Sequence, residues 1–506
     1  MFLAMRSSRL VAVVAIVIAA ILAFTYVARE EDDDCKSFVI LHSNDTHCHY
    51  GENLGMSTLK ALKDSMESSG NTVFMVDAGD FLQGAPYGTV TLGQASVDVM
   101  NGVGYDVGVP GNHEFDFTFQ ILLERAASLN YPLVCANLEY ADGSTVFPEY
   151  LVLEKGGVRM GFFGLLTPDS MNSVKAVNME GVLVTDPVEA AARMVPLLHG
   201  MDVDAVVAIG HIGLESSTIT SDVICSLVPG IDLFIDGHSH TPMEDGRAEG
   251  FDLVPSDSVI ASTGGNCTSF GIVTIDDGRI DAKLYRGEPL SDAQMYETIR
   301  KVMDECSVVL DTRIASSEIV LNGERNDIRT GETSMGDLVA DAIRWYGGSD
   351  VAAINSGTIR SSIQAGNVTL NDIYTVLPFQ DDLVWIEADG RSLYEMMETS
   401  YSHLGTPNGG FLQISGMTVT FDPHADAGSR IVSICVNGEA VGMDSLYTIC
   451  TTDYLAGGGD GNTAFIEYEP KNVGDNAMAL SAYIQDLGII TDSNVVMGRQ
   501  VALSPA

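Results

Sequence analysis

Five short apolar runs, each ending in amide, imidazole or carboxylate side chains, constrain this chain more than any other feature. Phe38 to Leu41 leads into Asn44-Asp45-Thr46-His47, Thr72 to Val76 into Asp77-Ala78-Gly79-Asp80, and Tyr105 to Pro110 into Gly111-Asn112-His113-Glu114-Phe115-Asp116. Ala205 to Ile209 leads into Gly210-His211, and Ile231 to Ile235 into Asp236-Gly237-His238-Ser239-His240. Short apolar runs separated by helix-length stretches such as Met56 to Ser69, Gln120 to Leu129 and Val188 to His199 read as parallel strands of an α/β layer fold. In open sheets of that kind ligands sit beyond the carboxyl ends of the strands, and all five polar clusters fall there.

The clusters carry the chemistry of a metal-dependent hydrolase. Asp45 and His47 stand two apart, as do His238 and His240, a spacing that on a strand turns both side chains to one face. Carboxylate plus imidazole suits zinc, manganese or iron(II), and an imidazole-rich set argues against magnesium or calcium alone. With Asp80, Asn112 and His211 there are seven ligand side chains, so two ions with four protein ligands each need one in common. A carboxylate can bridge, which nominates Asp80. Two ions about 3.5 to 4 Å apart can bind the oxygens of a phosphoryl ester and lower the pKa of a bridging water from about 15.7 toward 7, making it the nucleophile. His113 can move or donate a proton, and Asp116 can fix its ring. A single metal beside an unrelated histidine cluster is the rival arrangement. His42, His49, His199, His403 and His424 lack the strand-end context and read as core or surface residues.

At 506 residues the chain exceeds what one core usually serves, so two large domains are expected. Its 26 Lys and Arg against 69 Asp and Glu give a net charge of −43, which repels nucleic acid polymers. The acids are spread along the chain, as in a strongly solvated surface suited to high salt; many cation ligands in ordinary surroundings are the competing explanation. Arg6 and Arg9 precede an uncharged run from Leu10 to Val27, followed by Arg29-Glu30-Glu31-Asp32-Asp33-Asp34. A helix of that length spans about 27 Å, close to the thickness of a bilayer's hydrocarbon core. An uncleaved membrane anchor with the rest of the chain outside is favoured over a signal peptide, because Tyr26 stands where a cleavage site wants a small residue. The 8 cysteines include no Cys-x-x-Cys pair, so a zinc ribbon is excluded and isolated buried thiols are expected for most of them. The expected organisation is a segment 1–35 of anchor or signal and acidic spacer, an α/β domain over 36–288, a linker helix within 289–312, and a second α/β unit over 313–506. Within the linker, Ser291 can cap a helix reaching Val309 whose buried face is Met295, Ile299, Val302, Met303 and Cys306.

In the second unit Arg325, Arg329 and Arg360 stand out in so acidic a chain, and their guanidinium forks suit phosphate or carboxylate. Phe379 and Tyr454 offer flat faces for a planar base, although paired aromatics are more often core. The glycines before Asp460 let a ligand approach the backbone closely.

Asn-Asp-Thr-His, Gly79-Asp80, Gly-Asn-His-Glu-Phe-Asp, Gly210-His211 and Gly-His-Ser-His, in this order, resemble the calcineurin-like metallophosphoesterase domain of the 5′-nucleotidase family. The resemblance extends over nearly everything after the anchor. It implies a four-layer α/β/β/α metal domain, a linker helix and a second α/β nucleotide-binding domain. One metal would take Asp45, His47, Asp80 and His240, the other Asp80, Asn112, His211 and His238, with His113 and Asp116 as the dyad that stabilises the transition state. Phe379 and Tyr454 would sandwich the base, with Asp460 at the ribose, Asn355 beside it, and Arg325, Arg329 and Arg360 around the anionic groups. Tyr454 stands where phenylalanine is usual, and Asp381 where some members carry asparagine. The implied activity is release of phosphate from nucleoside 5′-monophosphates by attack of a metal-bound hydroxide, outside the cytoplasm. A 2′,3′-cyclic-nucleotide phosphodiesterase or nucleotide-diphosphosugar hydrolase on the same scaffold is the alternative, and a non-catalytic nucleotide-capturing surface protein is the reading from another class.

Overall fold

A computed structural model describes residues 37–503 apart from 175, 216–217 and 380. The predicted membrane anchor and acidic spacer lie outside the described residues. No helix among the described residues is long and apolar enough to cross a membrane.

The first domain is built on two sheets. In one, strand Ser37–Ser43 lies between Phe270–Asp276 and Thr72–Asp77, with Arg279–Tyr285 and Val107–Gly108 at the edges. In the other, Leu233–Asp236, Ala205–His211 and Val158–Leu166 form a parallel centre, Val259–Thr263 joins it in parallel, and Tyr150–Lys155 closes the far edge antiparallel. All five expected strand runs are present and run parallel to their neighbours from the set. Their near-continuous apolar character follows from burial on both faces. Phe38, Ile40, Phe74 and Val76 point into a core shared with Phe162, Val207, Ile209, Leu233 and Ile235 of the opposite sheet. Val39, Leu41, Val73 and Met75 point the other way, into a core with helices Gly55–Ser68 and Gln94–Val103. Phe163, Leu165, Val206 and Ala208 likewise face helix Pro187–His199. Alternation along each strand thus yields four layers, α/β/β/α, and the parallel strands of both sheets deliver their C-terminal ends to one place.

The linker helix runs Ala293–Leu310 and buries Met295, Ile299, Val302, Cys306 and Leu310, close to the face expected. Its cap differs from the expectation. Asp292, not Ser291, is the N-cap, its carboxylate accepting from the Met295 amide at 2.7 Å. Being one residue nearer, it is the side chain that reaches an unpaired N–H of the first turn.

The second domain has a mixed five-stranded sheet in the order Leu412–Ser415, Val351–Asn355, Leu446–Thr452, Asp382–Asp389, Lys471–Asp475. Helices Ser334–Gly347 and Asn476–Leu487 cover one face, and helix Gly390–Ser400 covers the other. Helix Leu370–Val376 packs on helix Asn476–Leu487 of its own domain and also reaches helix Pro86–Thr91 and the linker helix. All seven cysteines among the described residues are free thiols, and six of them are buried.

Candidate metal and nucleotide site

The loops that follow the parallel strands meet in one buried cluster. Strand Ser37–Ser43 ends before Asp45 and His47, and both residues have left-handed backbone, with φ of 49° and 45°. The alternation of a strand therefore does not aim them, contrary to the expectation from their spacing. Asp80, His238 and His240 also have positive φ, at 59°, 80° and 53°. Non-glycine residues in this region cost about 1 to 3 kcal/mol each, and persist where surrounding structure imposes them.

That structure is a set of buried polar side chains to which the sequence reading gave no role. Asn44 accepts from the Thr263 amide and hydroxyl at 2.7 and 2.8 Å and donates to the Gly264 carbonyl and to Asp45 Oδ2, both at 2.6 Å. Glu114 accepts from the backbone amides of Asp80, Phe81, Leu82 and Gly111. Asp236 Oδ1 accepts from the amides of Ile212, Gly213 and Gly237. Each sits inside a recognised motif, and an acid or amide directly after a buried strand was the available signal. Gly79 lets two loops touch: a Cβ there would lie 2.6 Å from the Gly111 nitrogen.

Within this frame Asp45 Oδ1 lies 3.3 Å from His240 Nε2, which lies 3.0 Å from His47 Nε2. Asp80 Oδ2 stands between this group and the next, 3.8 Å from His47 Nε2 and 3.2 Å from His211 Nε2. Asn112 Oδ1 is 3.2 Å from His211 Nε2 and 2.9 Å from His238 Nδ1. All seven expected ligands are thereby gathered. Two overlapping groups, Asp45 with His47 and His240, and Asp45 with Asp80 and His211, have atoms close enough to hold an ion.

The donor set fits divalent cations. His47 Nδ1 donates to the Gln83 carbonyl at 3.0 Å and His211 Nδ1 to the Ala78 carbonyl at 2.8 Å. Their Nε2 lone pairs are left facing carboxylate and amide oxygens, the tautomer that metal-binding imidazoles adopt. Burial alone would raise the carboxyl pKa of Asp80, but His211 and His113 hold it well below the usual range. Burial also opposes a charge on His211, yet Asp80 raises its pKa to about 10. The site calls for positive charge between these groups, and a divalent ion supplies it while accepting the lone pairs.

Beside this cluster His113 Nδ1 pairs with Asp116 Oδ2 at 2.7 Å, on a short helical turn His113–Phe115. Burial works against protonation of His113, but Asp116 and Asp80 outweigh it and raise the pKa to about 9. A half-buried imidazolium here presents a proton and a charge next to the cluster.

The second domain reaches the dyad directly. Phe379 stacks on the His113 ring at 5.4 Å between centroids and 16° between planes, and the Arg360 guanidinium lies 5.0 Å from the centroid of the Phe379 ring. Arg325, Arg329 and Arg360 form no ion pair with an acid among the described residues. Desolvation at the domain contact, together with the charges of Arg329 and Arg325, lowers the pKa of Arg360 to about 10. Asn355 Nδ2 donates to Asp460 Oδ2 at 2.9 Å, and the Asp460 amide donates to the Tyr454 hydroxyl at 3.1 Å. A side chain at Gly459 would meet the Tyr454 ring at 2.5 Å. Phe379 and Tyr454 are thus held in two groups, one at the dyad and one at the Asn355–Asp460 pair.

Residues 38–242 match the sequence model of calcineurin-like phosphoesterases, and residues 313–467 match that of the 5′-nucleotidase C-terminal domain. A 5′-nucleotidase of Vibrio cholerae is 25% identical over 503 residues, covering 87% of this chain and 90% of that protein. Protein UshA of Escherichia coli is 24% identical over 526 residues, covering 91% of this chain and 93% of its own. A 5′-nucleotidase precursor of Thermus thermophilus superposes with a TM-score of 0.73 at 25% identity, covering 93% of this chain and 100% of that one.

Proposed function

The chain belongs to the family that joins a calcineurin-like phosphoesterase domain to a 5′-nucleotidase C-terminal domain, and from that premise we propose how its residues divide the work of releasing phosphate from nucleoside 5′-monophosphates. Asp45, His47, Asp80 and His240 hold one divalent ion, and Asp80, Asn112, His211 and His238 hold the second. Zinc, manganese or iron(II) suits this imidazole-rich set. Such a pair supplies Lewis acidity toward the phosphoryl oxygens and an activated water. His113, kept protonated and oriented by Asp116, lends positive charge to the phosphoryl group and passes its proton to the leaving ribose oxygen. Arg325, Arg329 and Arg360 draw in the phosphate, Asp460 with Asn355 takes the ribose hydroxyls, and Phe379 and Tyr454 take the base. The enzyme acts outside the cytoplasm, held there by the N-terminal segment.

The observation that carries this reading is Asp80 Oδ2 standing between His47 and His211, whose other ring nitrogens are both engaged by backbone carbonyls. The test is phosphate release from adenosine 5′-monophosphate after chelation and re-addition of single metals. Re-addition restores turnover in the wild type, and Asp80→Asn lowers kcat/KM by at least about 100-fold. Undiminished turnover in that variant removes the bridging role. A panel that includes a 2′,3′-cyclic nucleotide and a nucleotide diphosphosugar identifies the preferred ester.

A further inference from the structure

Gln83 meets the metal domain through its main-chain carbonyl and the second domain through its side chain, which has no part in the site described above. It is 1% exposed, in the turn between strand Thr72–Asp77 and helix Pro86–Thr91. Its side-chain Nε2 donates to the Pro378 carbonyl at 2.7 Å, and the Thr89 hydroxyl reaches the same oxygen at 3.5 Å. Its own backbone carbonyl takes the Nδ1 proton of His47. Pro378 immediately precedes Phe379, so this contact holds the backbone from which the Phe379 side chain leaves. That ring, which the proposed function assigns to the base, is seated against two protein groups, His113 and Arg360.

We propose that Gln83 is a positioning residue that latches the nucleotide-binding domain onto the metal domain in a resting arrangement, with Phe379 seated against His113 and Arg360 in place of a base. The proposal rests on the reading of Phe379 as a base-stacking residue. Entry of a nucleotide then requires Phe379 to leave the dyad, and the Gln83–Pro378 bond opposes that step. The latch is weak by construction. It is one neutral hydrogen bond of short length, and Gln83 Oε1 is buried with no hydrogen-bond partner among the described residues. A bond of this kind changes an equilibrium by a factor of roughly 2 to 10. Apparent affinity falls by the fraction of molecules that are binding-competent, so that factor passes directly into KM.

The experiment compares Gln83→Met, which keeps the volume and removes the donor, with the wild-type metal-loaded full chain. KM for adenosine 5′-monophosphate falls by roughly 2- to 10-fold, kcat changes by less than about twofold, and metal content is unchanged. Thr89→Val, which leaves Gln83 in place, moves KM in the same direction by less. A KM that rises, or a kcat that falls in proportion, makes the docked arrangement the catalytic one and overturns the proposal, as does an unmoved KM in both variants. Phe379→Leu separates this from the underlying reading. If it leaves KM for the nucleotide unmoved, base stacking on Phe379 is wrong; if it raises KM while Gln83→Met changes nothing, only the latch is wrong.

Discussion

Both oxygens of Glu114 are committed to main-chain donors, so this one side chain holds the loop carrying Asp80 against the loop carrying Asn112 and His113. Burial and the adjacent Asp80 raise its pKa to about 7, while the amides of Leu82, Gly111 and Asp80 pull the other way. Because only donors face the carboxyl group, replacing one oxygen by an NH2 sets donor against donor. Glu114→Gln therefore costs roughly 2 to 4 kcal/mol of stability and loosens metal binding, measurable by urea unfolding and by chelator competition. An unchanged unfolding midpoint would mean that the loops are held by something else. At this scale the clustering of the seven side chains was legible because imidazole, amide and carboxylate at strand ends have a recognisable chemistry. Glu114, Asn44 and Asp236 were not, since an acid that anchors backbone amides and an acid that meets solvent are written with the same letter. The left-handed backbone of Asp45 and His47 was hidden for a related reason: a spacing of two is shared by strands and by many loops.

Among the helices, Ser334–Gly347 contains a first-turn acid with an unusual setting. Asp337 is completely buried, and neither of its oxygens has a hydrogen-bond partner among the described residues. Arg499 Nε lies 3.7 Å away, itself bound to Asp341 at 2.7 Å, and Glu332 faces the same space. Burial raises the Asp337 pKa to about 8; Arg499 opposes this, and the charges of Glu332 and Asp341 add to it. The folded state thus holds a proton that the unfolded chain, with an ordinary aspartate near 3.9, releases much earlier. This group's contribution to stability is therefore fully present below about pH 4 and is lost as pH rises through about 8, with a slope of up to about 1.4 kcal/mol per pH unit between them. Asp337→Asn removes this group's share of that slope, so urea midpoints fall less between pH 5 and pH 9 in the variant than in the wild type. Equal pH dependence in the two proteins would place the proton elsewhere. The linker helix shows what pattern can and cannot reveal at this scale. Its buried face was set by spacing and came through, but its cap moved from Ser291 to Asp292, because both residues are good caps and only the local chain direction chooses between them. Short strands such as Leu138–Tyr140 and Val182–Val184 had no legible signal, since three residues are too few to establish a period.

For the molecule as a whole, the division into a metal domain, a linker helix and a nucleotide-binding domain was legible because each unit carries its own apolar periodicity. The arrangement of the units was not, because the contacts that set it, Gln83 to Pro378 and Phe379 to His113, join single residues 295 positions apart or nearly so. What composition does determine is the long-range field. A net charge of −43 leaves most acids without a cationic partner, and surface pairs such as Arg300 with Asp304 and Lys301 with Glu305 join exposed side chains. Pairs of that kind contribute about 0 to 1 kcal/mol, too little to offset repulsion summed over the whole surface. That repulsion acts across a screening length of about 10 Å at 0.1 M salt and about 3 Å at 1 M. Folding brings the acids closer together, so the folded state suffers more from it than the extended chain and gains more when it is screened. The melting temperature therefore rises between 0.1 and 1 M potassium chloride, by about 2 to 4 °C for each 1 kcal/mol of repulsion relieved in domains of this size. Screening by simple ions also requires sodium chloride and potassium chloride to give the same rise at equal ionic strength. A melting temperature that stays flat across that range would show that the acids lie too far apart to repel, and would remove high salt as the reason for so acidic a surface.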